Sequence, residues 1–398
     1  MLSTFWLTRA TNEQLWGRLF YFSAENKPAI RMKHIIILKC GYDYAMPSPE
    51  FIAKQILHWQ KSTHKGFVTL EIYPTLRCNL NCSFCDTTDR HRPAVNELST
   101  QEWIRIIDEA ADLGAQQIFV LGGGEPTIRA DLLHLLSHAK KRQLRGMLTT
   151  NGTLLSKSIL LKLLAIGWDE IHFSIDGAVP ETHDRLRGNR GAFMKAIRAC
   201  CFLHRQKEKH NISTPQLVFH FVITNENYQE IPELLRLAKS VGVTRVDFDA
   251  LIAYRPEQKQ LELDPNQEER LSHIAQQAAD LAEDLGIQTT LENFIKKERI
   301  SRGITPPLAG DKEGLGGAPC LKAWHHLVIQ ADGRTSPCCV LAGQGGNIQG
   351  KTVLSLWNHD PFLENLREAM HNHQPPERCK ECSWNILSHE REIRRFID

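Results

Sequence analysis

At 398 residues the chain exceeds one ordinary core and is within reach of a large barrel plus an appendage. Its composition, 42% apolar and 24% charged, is that of a globular protein, and a formal net charge of +2 with interspersed signs gives no footprint for nucleic acid. The longest apolar runs, FVTLEIY and LLKLLAIG, fall short of the ~20 residues that span a bilayer.

Residues 1–66 are the least readable part. MLSTFWLTRATNEQLWGR has no continuous apolar core with a small-residue cleavage site, so it reads as a packed helix and not as an export signal. From 67 to 290 short β-rich runs alternate with amphipathic helical stretches. The strands are FVTLEIYP (67–74), QIFVLGG (117–123), RGMLTTNG (145–152), EIHFSID (170–176), QLVFHFVIT (216–224) and RVDFDALI (245–252). Helical segments such as 100–114 and 155–167 lie between them. The stretch 265–286 follows the sixth strand, with Pro265 at its start and Gly286 at its end. Six βα units without hairpins imply an α/β fold with a parallel sheet, either open and doubly wound or a partial (β/α)6 TIM-like barrel. Both gather reactive groups at the C-terminal strand ends. RCNLNCSFC, GGGEP, TTNG and SIDG follow the first four strands in turn.

A polar, Gly/Pro-rich stretch over 291–314 reads as a linker to a small C-terminal α+β domain over 315–398. There HHLVIQADGRTSPCC reads as strand, Asp-Gly turn, strand, and DPFLENLREAMHNH as helix.

Eleven cysteines are many for a chain without an export signal, and their clustering fits metal or cluster ligation in a reducing cytoplasm. Cys78, Cys82 and Cys85 follow a Cys-x3-Cys-x2-Cys spacing, which is not a zinc-finger spacing and lacks a nearby second pair. Three thiolates hold three irons of a cubane and leave the fourth iron open. After the barrel, Cys320, Cys338, Cys379 and Cys382 form a complete ligand set, for a cluster or for a structural zinc. Cys339 competes with Cys338, which the spacing from Gly333 favours. Cys40, Cys200 and Cys201 read as ordinary buried thiols.

The three-cysteine loop, with Phe84 before its last cysteine, resembles the signature of the radical S-adenosylmethionine (SAM) superfamily, whose fold is the partial (β/α)6 barrel. The resemblance covers roughly residues 68–290. It implies a [4Fe–4S] cluster on Cys78, Cys82 and Cys85, with SAM chelating the open iron and cleaved to a 5′-deoxyadenosyl radical. LGGGEP resembles the family's GGE motif, which carries over to Gly123, Gly124 and Glu125 as contacts of the methionyl amine. Thr150 and Ser174 resemble its strand-end hydroxyls, and Arg187 lies in a recurrent family stretch, as a carboxylate partner or a surface arginine. Asn151 and Asp176 read as caps of neighbouring turns. The tail resembles the SPASM/Twitch extension. Ser388 and Glu392 stand where a full SPASM module has two more cysteines, which leaves one auxiliary [4Fe–4S] cluster, with a spacing similar to that of an aminocyclitol-oxidising radical dehydrogenase.

The reaction expected from this resemblance is oxidation of a small polar metabolite, with the auxiliary cluster as electron acceptor and a flavodoxin or ferredoxin as donor. A peptide maturase or redox-neutral epimerase, and a non-catalytic electron-transfer protein, are the alternatives. Asp247 and Asp249, on one face of the sixth strand, and Tyr254 beyond it are the candidate bases or substrate contacts.

Overall fold

The computed structural model describes residues 47–61, 66–85, 96–253, 255–295, 318–382 and 384–397. Six strands, β1 (Thr69–Ile72), β2 (Gln117–Val120), β3 (Arg145–Thr150), β4 (Glu170–Ser174), β5 (Gln216–Ile223) and β6 (Arg245–Ala250), pair in chain order, every pair parallel. A helix follows each strand, which gives the mixed α/β, partial (β/α)6 architecture read from the periodicity. Helix starts are specified locally. Ser99 and Glu102 form a reciprocal cap on the helix Thr100–Asp112, as do Asp264 and Gln267 on Pro265–Leu285, each worth about 1 kcal/mol.

The sheet continues past both edges of the six-strand reading. A short β7 (Gln288–Thr289) adds to β6, and β8 (His326–Ile329) pairs in parallel with β1. β9 (Thr335–Ser336) returns antiparallel to β8 through the Asp-Gly turn, with Gly333 at φ +86°. The tail therefore shares the barrel's sheet, and Tyr42–Asp398 form one compact unit.

Alternation within the strands separates two environments. Leu70, Ile72, Ile118, Val120, Leu148, Ile171, Phe173, Phe219, Phe221, Val246 and Phe248 pack into the core under the helices. Burying each such side chain is worth roughly 1.5–3 kcal/mol. The intervening positions carry Glu71, Gln117, Arg145, Glu170, His172, His220, Arg245, Asp247 and Asp249. Parallel strands buried on both faces are usually apolar throughout. Here period-2 polarity marks the second face as the lining of a lumen.

A second core lies beside the tail. The helix Pro49–Lys61 contributes Ile52, Ala53 and Ile56 to a cluster with Cys320, Leu321, Trp324, Leu366, Met370 and Cys379. Part of the segment that was unreadable in sequence thus builds the wall of the tail. Residues 1–46, including Cys40, and Tyr254 lie outside the described residues.

Candidate active site

The loop carrying Cys78, Cys82 and Cys85 leaves the C-terminal end of β1, and all three thiols are half-buried. The loop is fixed from four directions. Glu125 N–H donates to the Arg77 carbonyl at 2.9 Å, and the Asn151 amide donates to Asn79 Oδ1 at 3.0 Å. Asn81 and Ser83 N–H donate to the carbonyls of Arg187 and Leu186 at 3.1 and 2.9 Å. Beyond β6, Arg255 donates to the Cys85 carbonyl at 2.6 Å and Gln258 to the Phe84 carbonyl at 3.1 Å. Gly188 makes the third contact possible, since a Cβ there would sit 2.2 Å from the Asn81 carbonyl oxygen.

The glycines of GGGEP serve the same strapping. A Cβ on Gly124 would lie 2.0 Å from the Arg77 carbonyl oxygen, and Gly123, at φ +68°, abuts the Thr75 carbonyl. The close approach they permit is to the chain's own segment leading into Cys78. Glu125 follows, 3% exposed, accepting from Thr150 Oγ1 at 2.7 Å, Asn151 N–H at 2.8 Å and Thr127 N–H at 3.1 Å. Glu125 and Thr150 therefore form one buried unit at the ends of β2 and β3. Ser174, at the end of β4, is also buried.

Arg187 is not a surface arginine. It is 8% exposed and ion-paired with the fully buried Asp176, its Nη1 lies 3.6 Å from Cys82 Sγ, and its guanidinium stands 5.3 Å from the Phe84 ring centre. Asp176 also accepts from Val222 N–H at 2.8 Å, so its role exceeds the turn cap read in sequence. Asn151 does cap its turn, accepting from Thr153 N–H at 2.9 Å. Burial pushes the Cys82 thiol up to about 11, with Arg187 acting against it, and raises Cys78. Such thiols become thiolates when a metal supplies the compensating charge.

The structure separates the two aspartates of β6. Asp247 belongs to a network deep in the lumen, with Arg245 Nε at 3.2 Å and His172 Nδ1 at 3.9 Å. In that network Arg145, Arg245 and His172 surround Glu170. Burial opposes ionisation of Glu170, but His172 and the two arginines hold its carboxyl at about 2. Asp249 stands nearer the mouth and meets His220 Nε2 at 2.6 Å, both side chains partly exposed. His220, which is opposite Ser174 in the β4–β5 register, was not singled out from sequence. Its alternation with the core residues Phe219 and Phe221 was the available signal.

In the tail, Cys320, Cys338, Cys379 and Cys382 line one cavity together with Lys322, Ala323, Pro337, Val340, Leu341, Leu366 and Met370. Cys339 is exposed and does not line it. Burial pushes the Cys379 and Cys382 thiols up to about 12 and raises Cys320 and Cys338 as well. Among the described residues no three ligand-type side chains converge on a point where a single ion would sit. Four thiols facing one cavity match the ligand number of a [4Fe–4S] cluster. Glu390, fully buried, accepts from Leu321 N–H at 2.9 Å and meets His325 Nε2 at 3.1 Å, fixing the backbone beside Cys320.

Residues 72–238 match the family model of the radical SAM superfamily, and residues 320–383 match that of an iron–sulfur cluster-binding domain, SPASM. The PqqA peptide cyclase of Granulibacter bethesdensis is 33% identical over 77% of either chain. The AdoMet-dependent heme synthase of Methanosarcina barkeri is 28% identical over 74% of this chain and 83% of its own. The crystal structure of Streptococcus suis SuiB bound to S-adenosylmethionine shares the fold, with a TM-score of 0.63 at 20% identity over 79% of this chain and 71% of that one.

Proposed function

Because the chain belongs to the radical SAM superfamily and carries its SPASM iron–sulfur domain, we propose that it is an oxidative radical enzyme acting on a peptide. Its cofactors are SAM, a SAM-binding [4Fe–4S] cluster and auxiliary iron–sulfur. When bound, these groups supply a 5′-deoxyadenosyl radical that takes a hydrogen atom from substrate, and an acceptor for the electron the substrate then gives up.

In this reading Cys78, Cys82 and Cys85 hold the first cluster, and Arg187 and Phe84 lie against its loop. Gly123 and Gly124 shape the turn that presents Glu125, which orients the SAM ammonium with Thr150 as its hydrogen-bonded partner. Ser174 closes the site at the end of β4. Cys320, Cys338, Cys379 and Cys382 hold one auxiliary cluster. Asp249, with His220 behind it, takes the proton at the lumen mouth. Asp247 keeps the charged lumen floor in register. A flavodoxin or ferredoxin supplies the starting electron in the cytoplasm. Among the described residues no helix is long and apolar enough to cross a membrane.

The observation that carries the proposal is the coexistence of an open three-thiol loop at the barrel mouth and a closed four-thiol cavity in the tail. The first set leaves an iron for SAM and the second leaves none, as an electron acceptor requires. A small polar metabolite also suits the charged lumen, but the 33% identity to a peptide cyclase over most of both chains moves the substrate towards a peptide.

The test is anaerobic reconstitution, iron and sulfide analysis, and dithionite-driven turnover with short peptides encoded beside the gene. About eight irons per chain, 5′-deoxyadenosine release and a peptide that has lost hydrogen are expected. Deoxyadenosine without peptide change, but with oxidation of a neighbouring pathway's polar metabolite, would return the substrate to the metabolite class. No deoxyadenosine from the reconstituted protein would sink the enzyme reading.

A further inference from the structure

We propose that Lys322 sets the reduction potential of the auxiliary cluster, held at the cavity wall by a Lys322–His326–Glu71 chain anchored on the first barrel strand. The inference rests on the reading of the four-thiol cavity as a cluster site. Among the described residues that line this cavity, Lys322 alone carries a formal charge; apart from the thiols, its other neighbours are apolar.

The chain that positions Lys322 crosses from the tail to the barrel. Lys322 Nζ lies 3.2 Å from His326 Nδ1, and His326 Nε2 lies 2.9 Å from Glu71 Oε2. His326 is 2% and Glu71 7% exposed. An ammonium can only donate, so Nδ1 accepts and the ring proton sits on Nε2, donated to the carboxylate. The hydrogen bonds thus fix the tautomer and ring orientation, and with them the ammonium position. Glu71 is fixed in turn, because β1 and β8 pair in parallel with Thr69 opposite His326 and Glu71 opposite Val328. The same strand runs on to the Cys78 loop, so one rigid sheet holds the lysine beside the cavity.

A cubane bound by four thiolates carries net negative charge, and reduction adds one more. Potentials of such clusters follow net charge, hydrogen bonding and exposure. A fixed cation at the cavity wall therefore favours the reduced form, which eases electron transfer from a substrate radical. Burying an ammonium in an apolar wall is costly unless it faces an anion. His326 takes one of the three N–H donors, the buried carboxylates of Glu390 and Glu71 lie near enough to favour the ammonium's charge, and an anionic cluster at the cavity wall would add to them.

The experiment is an EPR-monitored redox titration of the reconstituted full chain, with iron content measured in parallel. Lys322→Met and Lys322→Gln should both move the auxiliary midpoint to more negative potential and leave the SAM-site midpoint unchanged. Lys322→Arg should keep both near wild type. Lys322→Gln retains length and polarity, so it serves if the methionine variant assembles poorly. An unchanged auxiliary midpoint in the charge-removing variants, at full iron content, would overturn the proposal. A wild-type chain that binds only about four irons would instead overturn the cluster reading beneath it.

Discussion

Cys78, Cys82 and Cys85 sit on a loop pinned by polar groups from four parts of the barrel, whereas Cys320, Cys338, Cys379 and Cys382 face a cavity walled largely by Ala323, Val340, Leu341, Leu366 and Met370. The first arrangement holds the backbone and leaves one side of the thiols open to a polar ligand. The second surrounds its thiols largely with apolar side chains and leaves no iron uncommitted once a cubane is seated. A site that must admit a cofactor is thus built from hydrogen bonds to its loop. The tail site is built from apolar burial with one positioned charge.

The largest effect should come from breaking the open site. Cys82→Ala should abolish 5′-deoxyadenosine formation and lower iron from about eight to about four per chain, since three thiolates are the minimum for that cubane. Deoxyadenosine production by this variant would show that the loop is not the cleavage site. Cys338→Ser should likewise remove about four irons, but should spare deoxyadenosine formation while product falls to background. Cys339→Ser, altering an exposed thiol outside the cavity, should change neither quantity. If the two serine variants behaved in reverse, the assignment at 338 and 339 would be inverted.

How much of this contrast was legible in sequence follows from distance along the chain. The cysteine spacings, the GGGEP turn and the strand periodicity are local patterns, and they led to the barrel, its open loop and the tail hairpin. The Lys322–His326–Glu71 chain joins groups up to 255 positions apart and appears only when β8 docks on β1. The Arg187–Asp176 pair was hidden for another reason, because an arginine in a polar helix reads as solvated until its burial is seen. The helix Pro49–Lys61 did carry a signal. Ile52, Ala53 and Ile56 lie on one helical face, a short pattern outweighed by the unpatterned residues around it.

That hidden pair gives the next test. Arg187→Leu strands the fully buried Asp176 without its cation and should cost about 3–5 kcal/mol in urea unfolding of the reconstituted protein. Adding Asp176→Asn should recover part of that loss. A cost within about 0.5 kcal/mol, the range of surface substitutions, would mean that the pair does not hold the loop's underside.

The smallest expected effect asks whether the polar character of the open site extends into the lumen. Burial works against protonation of His220, but the Asp249 hydrogen bond and charge outweigh it and raise the imidazole above its ordinary value of about 6.5. The folded state therefore holds this proton more tightly than the unfolded chain does. The stability from the pair is fully present below pH about 6.5 and is lost as pH rises through the raised folded value. Asp249→Asn should flatten that component, so the difference in urea midpoint between wild type and variant should be largest in mild acid and shrink towards alkaline pH. The same variant should lower product formation while leaving deoxyadenosine release in place, because the proposed base acts on the substrate and not on the cleavage of SAM. A pH-independent difference would mean that His220 and Asp249 do not share a proton, and the base would then have to be sought elsewhere on the lumen wall.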